Sequence, residues 1–328
     1  MVFYSAMIIV IYNQKDKKQM NRYFKSILLV AGLGSMLHAT DDGPRMYWNA
    51  PVGTNILQAY FWTASGNSVT PENSQTSPYL DTDINIGILG YNRIVDVAGH
   101  SAIVTAVMTG GKVSGDTSKI YLNKDLRSSS GLGDLYLQGV INVFGAPALS
   151  AEAFADYRQD TVLSLLVGVT APTGDYERDR ALNLGMNRWN MRVGLPFMYT
   201  IGDWVPGEIT TLEILPSVWF YGDNDDYTRL GLNLEQDPMY TLEAHITRDI
   251  TTSLFVSLDY FVQRTGDSFV NGIQTGTANT SDSLGVTAGY MFNAQTQFQL
   301  RYAGTLSPDP DQGELEADMF QFNLNYFW

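Results

Sequence analysis

From about residue 50 onward, polar and apolar side chains alternate with a period of two, in segments of roughly ten residues. That is the length of a tilted strand crossing a bilayer. In Ser253 to Gln263, the set Leu254, Val256, Leu258, Tyr260 and Val262 alternates with Ser253, Phe255, Ser257, Asp259, Phe261 and Gln263. In Thr241 to Thr247, Leu242, Ala244 and Ile246 alternate with Thr241, Glu243, His245 and Thr247. Leu163, Leu165, Val167 and Val169, and near the C-terminus Phe320, Phe322, Leu324 and Tyr326, repeat the pattern. Each segment has one greasy face and one polar face. Past residue 40 no apolar run approaches the roughly 20 residues that a membrane-spanning helix needs.

A soluble antiparallel sheet shows the same alternation, so loop lengths must discriminate. The connections near 65–80, 109–132, 173–187, 222–237, 264–282 and 305–318 are long and polar, whereas those near 95–100, 203–207, 248–252 and 293–296 are short. Long loops on one side and tight turns on the other are how outer-membrane barrels are built, with the turns in the periplasm. Six long connections imply an all-β, transmembrane antiparallel β-barrel of about 12 strands over residues 53–328, with both termini periplasmic. The connection at 144–159 is the exception, since Ser150-Ala151-Glu152 reads as the start of one short helix.

Ahead of the strands, the stretch from Met20 reads as a secretory signal peptide. Arg22 and Lys25 precede an apolar segment from Ile27 to Leu37, and Ala39 offers a small residue for cleavage. Residues 1–39 are therefore assigned as address, with translation expected to start at Met20. Residues 40–52 are read as a short periplasmic lead-in, too short for the folded plug domain of an energised receptor. Residues 1–39 carry five basic side chains and one acid. Removing them from totals of 20 and 34 leaves 15 basic against 33 acidic residues, a charge of −18. That balance excludes a nucleic-acid partner, whose phosphates demand a basic surface. The chain has no cysteine, which excludes a disulfide scaffold and a thiolate metal site.

Aromatic rings prefer the headgroup level and should mark strand ends. Tyr60, Phe61 and Trp62 precede the first long loop, Trp189 follows the third, Phe220 and Tyr240 flank the fourth, and Tyr290 and Phe292 sit near a short turn. The last strand stops at Tyr326-Phe327-Trp328, and such an aromatic terminus resembles the signal read by the barrel-assembly machinery. That machinery, outer-membrane lipid and a small-molecule permeant are the expected partners.

Several stretches resemble a family of outer-membrane proteins labelled for the meta-pathway of phenol degradation and often called transporters. They include Ala50-Pro51-Val52-Gly53-Thr54-Asn55, Gly131-Leu132-Gly133-Asp134, Gly145-Ala146-Pro147-Ala148-Leu149-Ser150, Tyr157-Arg158-Gln159-Asp160-Thr161, Asn187-Arg188-Trp189, Trp219 through Asp226, and Gln236-Asp237-Pro238-Met239-Tyr240. The resemblance extends over most of the chain and implies passage of aromatic compounds through the outer membrane. It brings no catalytic residues.

Catalysis finds little to work with. A barrel lipase needs a His and a nucleophilic Ser meeting on the lipid face with an orienting partner, but the region after residue 40 has only His100, in an expected turn, and His245, on the polar face beside Glu243. An omptin-type protease needs a His in a long loop, and there is none. Asp223, Asn224, Asp225 and Asp226 offer hard oxygens but lack the spacing of an EF-hand, which favours turn chemistry. No cofactor or metal is expected. Parity places Arg188 and Arg192 on the sixth strand, Glu213 on the seventh, Glu243 and His245 on the eighth and Asp259 on the ninth, all pointing inward as a lining for the permeant. Val193, Ile214, Ala244 and Leu258 should then meet lipid. The functional expectation is passive passage of small organic solutes, aromatic ones included. The alternative is a structural or adhesive barrel with a filled lumen and acidic external loops.

Overall fold

A computed structural model describes residues 42–68, 80–116, 128–180, 182–278, 280–306 and 316–328. The signal peptide expected over 1–39 lies outside the described residues. Twelve antiparallel staves close on themselves. Following the wall, they are β1 (Asn55–Ser68), β2 (Leu80–Val97), β3 (His100–Asp116), β4 (Ser128–Leu132) continued by β5 (Leu135–Phe144), β6 (Thr161–Ala171), and β7 (Asn190–Gly194) continued by β8 (Phe197–Thr200). After these come β9 (Thr210–Tyr221), β12 (Met239–Asp249), β13 (Leu254–Arg264), β16 (Thr280–Asn293), β17 (Thr296–Thr305) and β18 (Glu316–Phe327). The first and last strands pair from Ile56↔Phe327 to Asn67↔Glu316, and β9 pairs β12 from Met239↔Trp219 to Arg248↔Thr210. Among the described residues the twelve staves pair all the way round, which is what a sheet in lipid requires.

Turn chemistry sets the short side. Between Val97 and His100 only Ala98 and Gly99 intervene, with φ of 55° and 85°. Positive φ at both central residues makes a hairpin turn whose twist matches the strands, and Asp96 Oδ1 accepts the Gly99 N–H at 2.7 Å. The 145–160 connection holds helix α1 (Ala151–Phe154), capped by Ser150 Oγ, which accepts the Ala153 N–H at 3.2 Å. The start of β1 and the C-terminal residue meet on this side, where Asn55 and Trp328 exchange backbone hydrogen bonds.

On the other side the strands are longer than the roughly 9–11 residues that a crossing needs, with 18 in β2 and 17 in β3. The β2–β3 ladder runs unbroken from Val97↔His100 to Asp81↔Asp116, so much of the expected 109–132 loop is strand. The 222–237 and 264–282 connections are also structured. They contribute β10 (Asn224–Tyr227) and β11 (Leu232–Gln236), then β14 (Ser268–Val270) and β15 (Ile273–Gly276), to a separate four-stranded sheet. Tyr227, Leu234 and Val270 form its small core, with Leu232 against it.

The outer face of the wall is apolar. Leu137, Leu165, Val167, Ile246, Val256, Leu258, Val286 and Leu300 are exposed, while the alternate positions Gln138, Ser164, Glu243, His245, Ser257, Asp259, Thr287 and Arg301 are buried. Phe61, Trp189, Phe220 and Tyr240 ring the long-loop end, and Tyr91, Tyr290, Phe292, Tyr326 and Trp328 ring the turn end. Tyr60 and Trp62 do not belong to the ring. Parity turns them inward, with Trp62 buried and Phe61 between them exposed.

Candidate functional site

The lumen is divided in two by the residues just ahead of β1. Residues 42–50, expected as a periplasmic lead-in, run inside the barrel and bond to its inward-facing side chains. Asp42 Oδ2 pairs with Arg192 Nη1 at 2.7 Å, and the Asp42 N–H donates to Glu243 Oε2 at 2.9 Å. The Arg45 N–H donates to Glu213 Oε2 at 2.7 Å, while Arg45 Nη1 meets Asp249 Oδ1 at 2.7 Å. Trp48 Nε1 donates to Glu213 Oε1 at 2.9 Å. Below these contacts Asn49 is tied to Gln159 Oε1 and to the Pro147 carbonyl, and the Val52 N–H donates to the Leu149 carbonyl. Tyr47 and Ala50 pack on Ile94, Ile103, Val140, Leu166 and Leu215, and Trp48 packs with Trp204 against Ala146, Val162 and Met198. The segment thus fills the turn-side half of the lumen.

The charged residues that hold it sit on neighbouring strands at alternate positions. Arg192 on β7 reaches Glu243 Oε1 on β12 at 2.9 Å and Ser217 on β9 at 3.1 Å, and its Cζ lies 5.0 Å from the centroid of Trp219. His245 Nδ1 is 2.7 Å from Asp259 Oδ1, and Asp259 also accepts from Ser257 and Thr287 and lies 3.7 Å from Arg301 Nε. Buried charges are costly unless paired and hydrogen-bonded, and these carboxylates have several donors each. Arg192, Glu213, Glu243, His245 and Asp259 are thereby gathered into one network. Arg188 is not part of it. It precedes β7 rather than sitting on it, and it lies under the outer sheet, donating to Gln236 Oε1 at 2.5 Å with its Cζ 4.5 Å from the centroid of Tyr221. Burial there lowers its pKa to about 10, against the opposing pull of Tyr221, Tyr227 and Asp223.

The opposite wall is apolar. Trp62 on β1, Ile84 and Ile86 on β2 and Val113 on β3 point inward and meet Leu182 and Leu184 of the 172–189 loop, which folds down over them. The Gly-x-Gly-Asp stretch seats that loop. Asp134 accepts the N–H groups of Gly174 at 2.7 Å and Met186 at 2.8 Å, and a Cβ on Gly174 would lie 2.6 Å from the Gly133 carbonyl carbon, so only glycine allows the approach. Between the lid formed by Leu184 and the floor formed by Asp42, Met46 and Tyr47 lies a cavity of about 140 Å³. Tyr60, Trp62, Ile86, Tyr136 and Trp219 contribute its apolar surface. Along one strip the Asn92 amide donates to Gln58 at 2.6 Å and Thr105 donates to Asn92 at 2.6 Å, which lines part of the wall with paired polar groups.

Several of these residues escape a reading by parity and charge. Asp42, Arg45, Tyr47 and Trp48 lie in no strand, and the only signal they give is a run of both charges and aromatics immediately before the first strand. Arg301 is within reach of parity, since Gln297, Gln299 and Arg301 alternate with Phe298, Leu300 and Tyr302 on β17. The Asp223–Asp226 stretch is used structurally. Asn224 is buried, accepting from Asn187 and the Asp226 N–H and donating to Tyr176 and the Met186 carbonyl, and Asp226 pairs with Arg178.

A closed twelve-stave antiparallel barrel with an apolar exterior, aromatic rings at two levels and a polar interior defines an outer-membrane β-barrel protein. The chain belongs to the family described as "Putative MetA-pathway of phenol degradation", whose model matches residues 61–322. Among solved structures it is similar to an outer membrane channel from Pseudomonas putida F1, at 24% identity and a TM-score of 0.70, covering 88% of this chain and 99% of that one. A looser likeness is to the translocator domain of the autotransporter NalP from Neisseria meningitidis, at 11% identity and a TM-score of 0.44, covering 90% and 92%. No curated protein matches the sequence.

Proposed function

We propose that this protein is a passive outer-membrane channel for small organic solutes the size of a single aromatic ring, and that the inward residues of β7–β13 line the path. The cavity carries the reading. An apolar cavity of about 150 Å³ suffices for benzene, and about 140 Å³ here is bounded by aromatic and aliphatic side chains with a polar strip. The description of the family agrees with it, and the Pseudomonas putida relative is itself an outer membrane channel. Transport needs no chemistry from the chain. His245 has Asp259 on Nδ1, but Glu243 stands 3.9 Å from Nε2 where a triad would hold its serine, and Ser257 is bonded to Asp259 instead. The pair also faces the lumen, away from lipid. Export through a cleaved signal and insertion through the strand ending at Trp328 complete the proposal.

The filled half of the lumen is the observation that favours the alternative, a structural barrel, and one experiment separates the two. Liposomes carrying the protein should take up phenol faster than protein-free liposomes and should not take up a disaccharide, and removal of residues 42–50 should raise ion conductance in planar bilayers. Phenol uptake no faster than that of protein-free liposomes, together with unchanged conductance in the shortened protein, would leave a barrel that does not conduct.

A further inference from the structure

We infer that the cavity binds an aromatic carboxylate whose carboxylate replaces the Asp42 side chain on Arg192, so that the solute itself loosens the segment beneath it. The inference rests on the channel reading above and adds what the channel recognises. Asp42 belongs to the segment, yet it also lines the cavity. Its Oδ2 receives Arg192 Nη1 at 2.7 Å and the Tyr47 hydroxyl at 2.6 Å. A carboxylate arriving from the cavity would find the same two donors, one of them a planar guanidinium suited to carboxylates.

The rest of Arg192 is fixed. Its side chain is 2% exposed, Nη2 is held by Glu243 at 2.9 Å and Nε by Ser217 at 3.1 Å, both partners being on barrel strands. Nη1 alone among these positions is bonded to a group that is not part of the wall. Next to it stand two rings that also line the cavity. Trp219 packs against the guanidinium, and Tyr136 stacks on Trp219 with centroids 6.2 Å apart and planes inclined by 30°. An aryl ring seated against these faces presents a carboxylate to Nη1.

Charge favours the exchange over simple addition. Asp42, Glu213, Glu243, Asp249 and Asp259 face Arg45, Arg192, Arg301 and His245 across this half of the lumen. An extra anion would be unpaired and costly, whereas one carboxylate for another leaves Arg192 paired and sends Asp42 toward water. Arg45 and Trp48 keep their hold on Asp249 and Glu213, so it is the leading end of the segment, at Asp42, that loosens.

The test titrates the full-length protein in detergent with benzoate and with benzyl alcohol, read by tryptophan fluorescence. Benzoate should bind more tightly than benzyl alcohol. Asp42→Asn should tighten benzoate by about tenfold, the worth of one charge-assisted hydrogen bond, and leave benzyl alcohol within about twofold. On the unaltered protein, benzoate and not benzyl alcohol should speed amide exchange over residues 42–50, which keeps the test informative if the variant fails to fold. Equal affinity for the two ligands, benzoate binding unchanged in Asp42→Asn, or exchange unaffected by benzoate would overturn the inference. If the protein still speeds phenol uptake over protein-free liposomes in that case, only the carboxylate exchange fails; if it does not, the channel reading fails as well.

Discussion

The two sides of the lumen are built on the same period-two wall with opposite chemistries. On the β1–β3 side, Trp62, Ile84, Ile86 and Val113 point inward and are covered by Leu182 and Leu184. On the β7–β13 side, Arg192, Glu213, Glu243, His245 and Asp259 point inward and grip residues 42–50. The first side is satisfied by area removed from water, which has no direction and tolerates sliding. The second is satisfied by hydrogen bonds of fixed geometry, where a missing partner strands a charge. A solute in the cavity meets Trp62 and Ile86 of the first side and, from the second, Trp219 and Arg192 with the Asp42 that Arg192 holds, which suits a ring carrying a single polar group.

That contrast can be broken by substitution. The largest effect should come from Arg192→Met, which leaves Asp42 and Glu243 facing one another without their cation. Removing one partner of a buried ion pair costs about 3–5 kcal/mol, read as a lowered temperature at which the folded, fast-migrating gel band converts to the slow one. Next comes Leu258→Arg on the lipid face, at about 2–4 kcal/mol for a charge near the bilayer midplane. It should impair assembly more than Asp259→Asn at the adjacent inward position; the reverse order would mean that inside and outside are exchanged. The smallest effect should be that of Ile86→Leu, a volume-conserving change costing under about 1.5 kcal/mol. Its mark should be an altered ratio of phenol to cresol uptake in liposomes. If it destabilises as much as Arg192→Met, the apolar side is no more forgiving than the charged one.

Strand parity makes much of this legible, because one residue of register decides which face is wet. His245 and Asp259, fourteen positions apart in sequence, fall opposite each other at 2.7 Å because β12 and β13 pair His245↔Asp259. Arg188 shows where the rule stops, for it lies two residues before β7 begins and parity has no meaning there. Tyr60 and Trp62 have the sequence position of interfacial rings, yet only every second aromatic at a strand end can face lipid. The outer sheet is hidden in the sequence because its strands run three to five residues, too few to establish a period. The position of residues 42–50 is hidden more deeply, since no repeat in a sequence announces which distant residues an unpaired segment will touch.

The Asp42 contact with Glu243 closes a loop of 201 residues, and the first strand follows soon after it, at Asn55. The segment and the β1–β18 seam thus lie close together in space although their partners are far apart in sequence. Loop closure on this scale is slow to reach, and the contacts that reward it arrive late. Filling the lumen and sealing the seam thus both rest on contacts of long sequence separation, and the charged side of the wall anchors the segment that leads into the first strand of that seam.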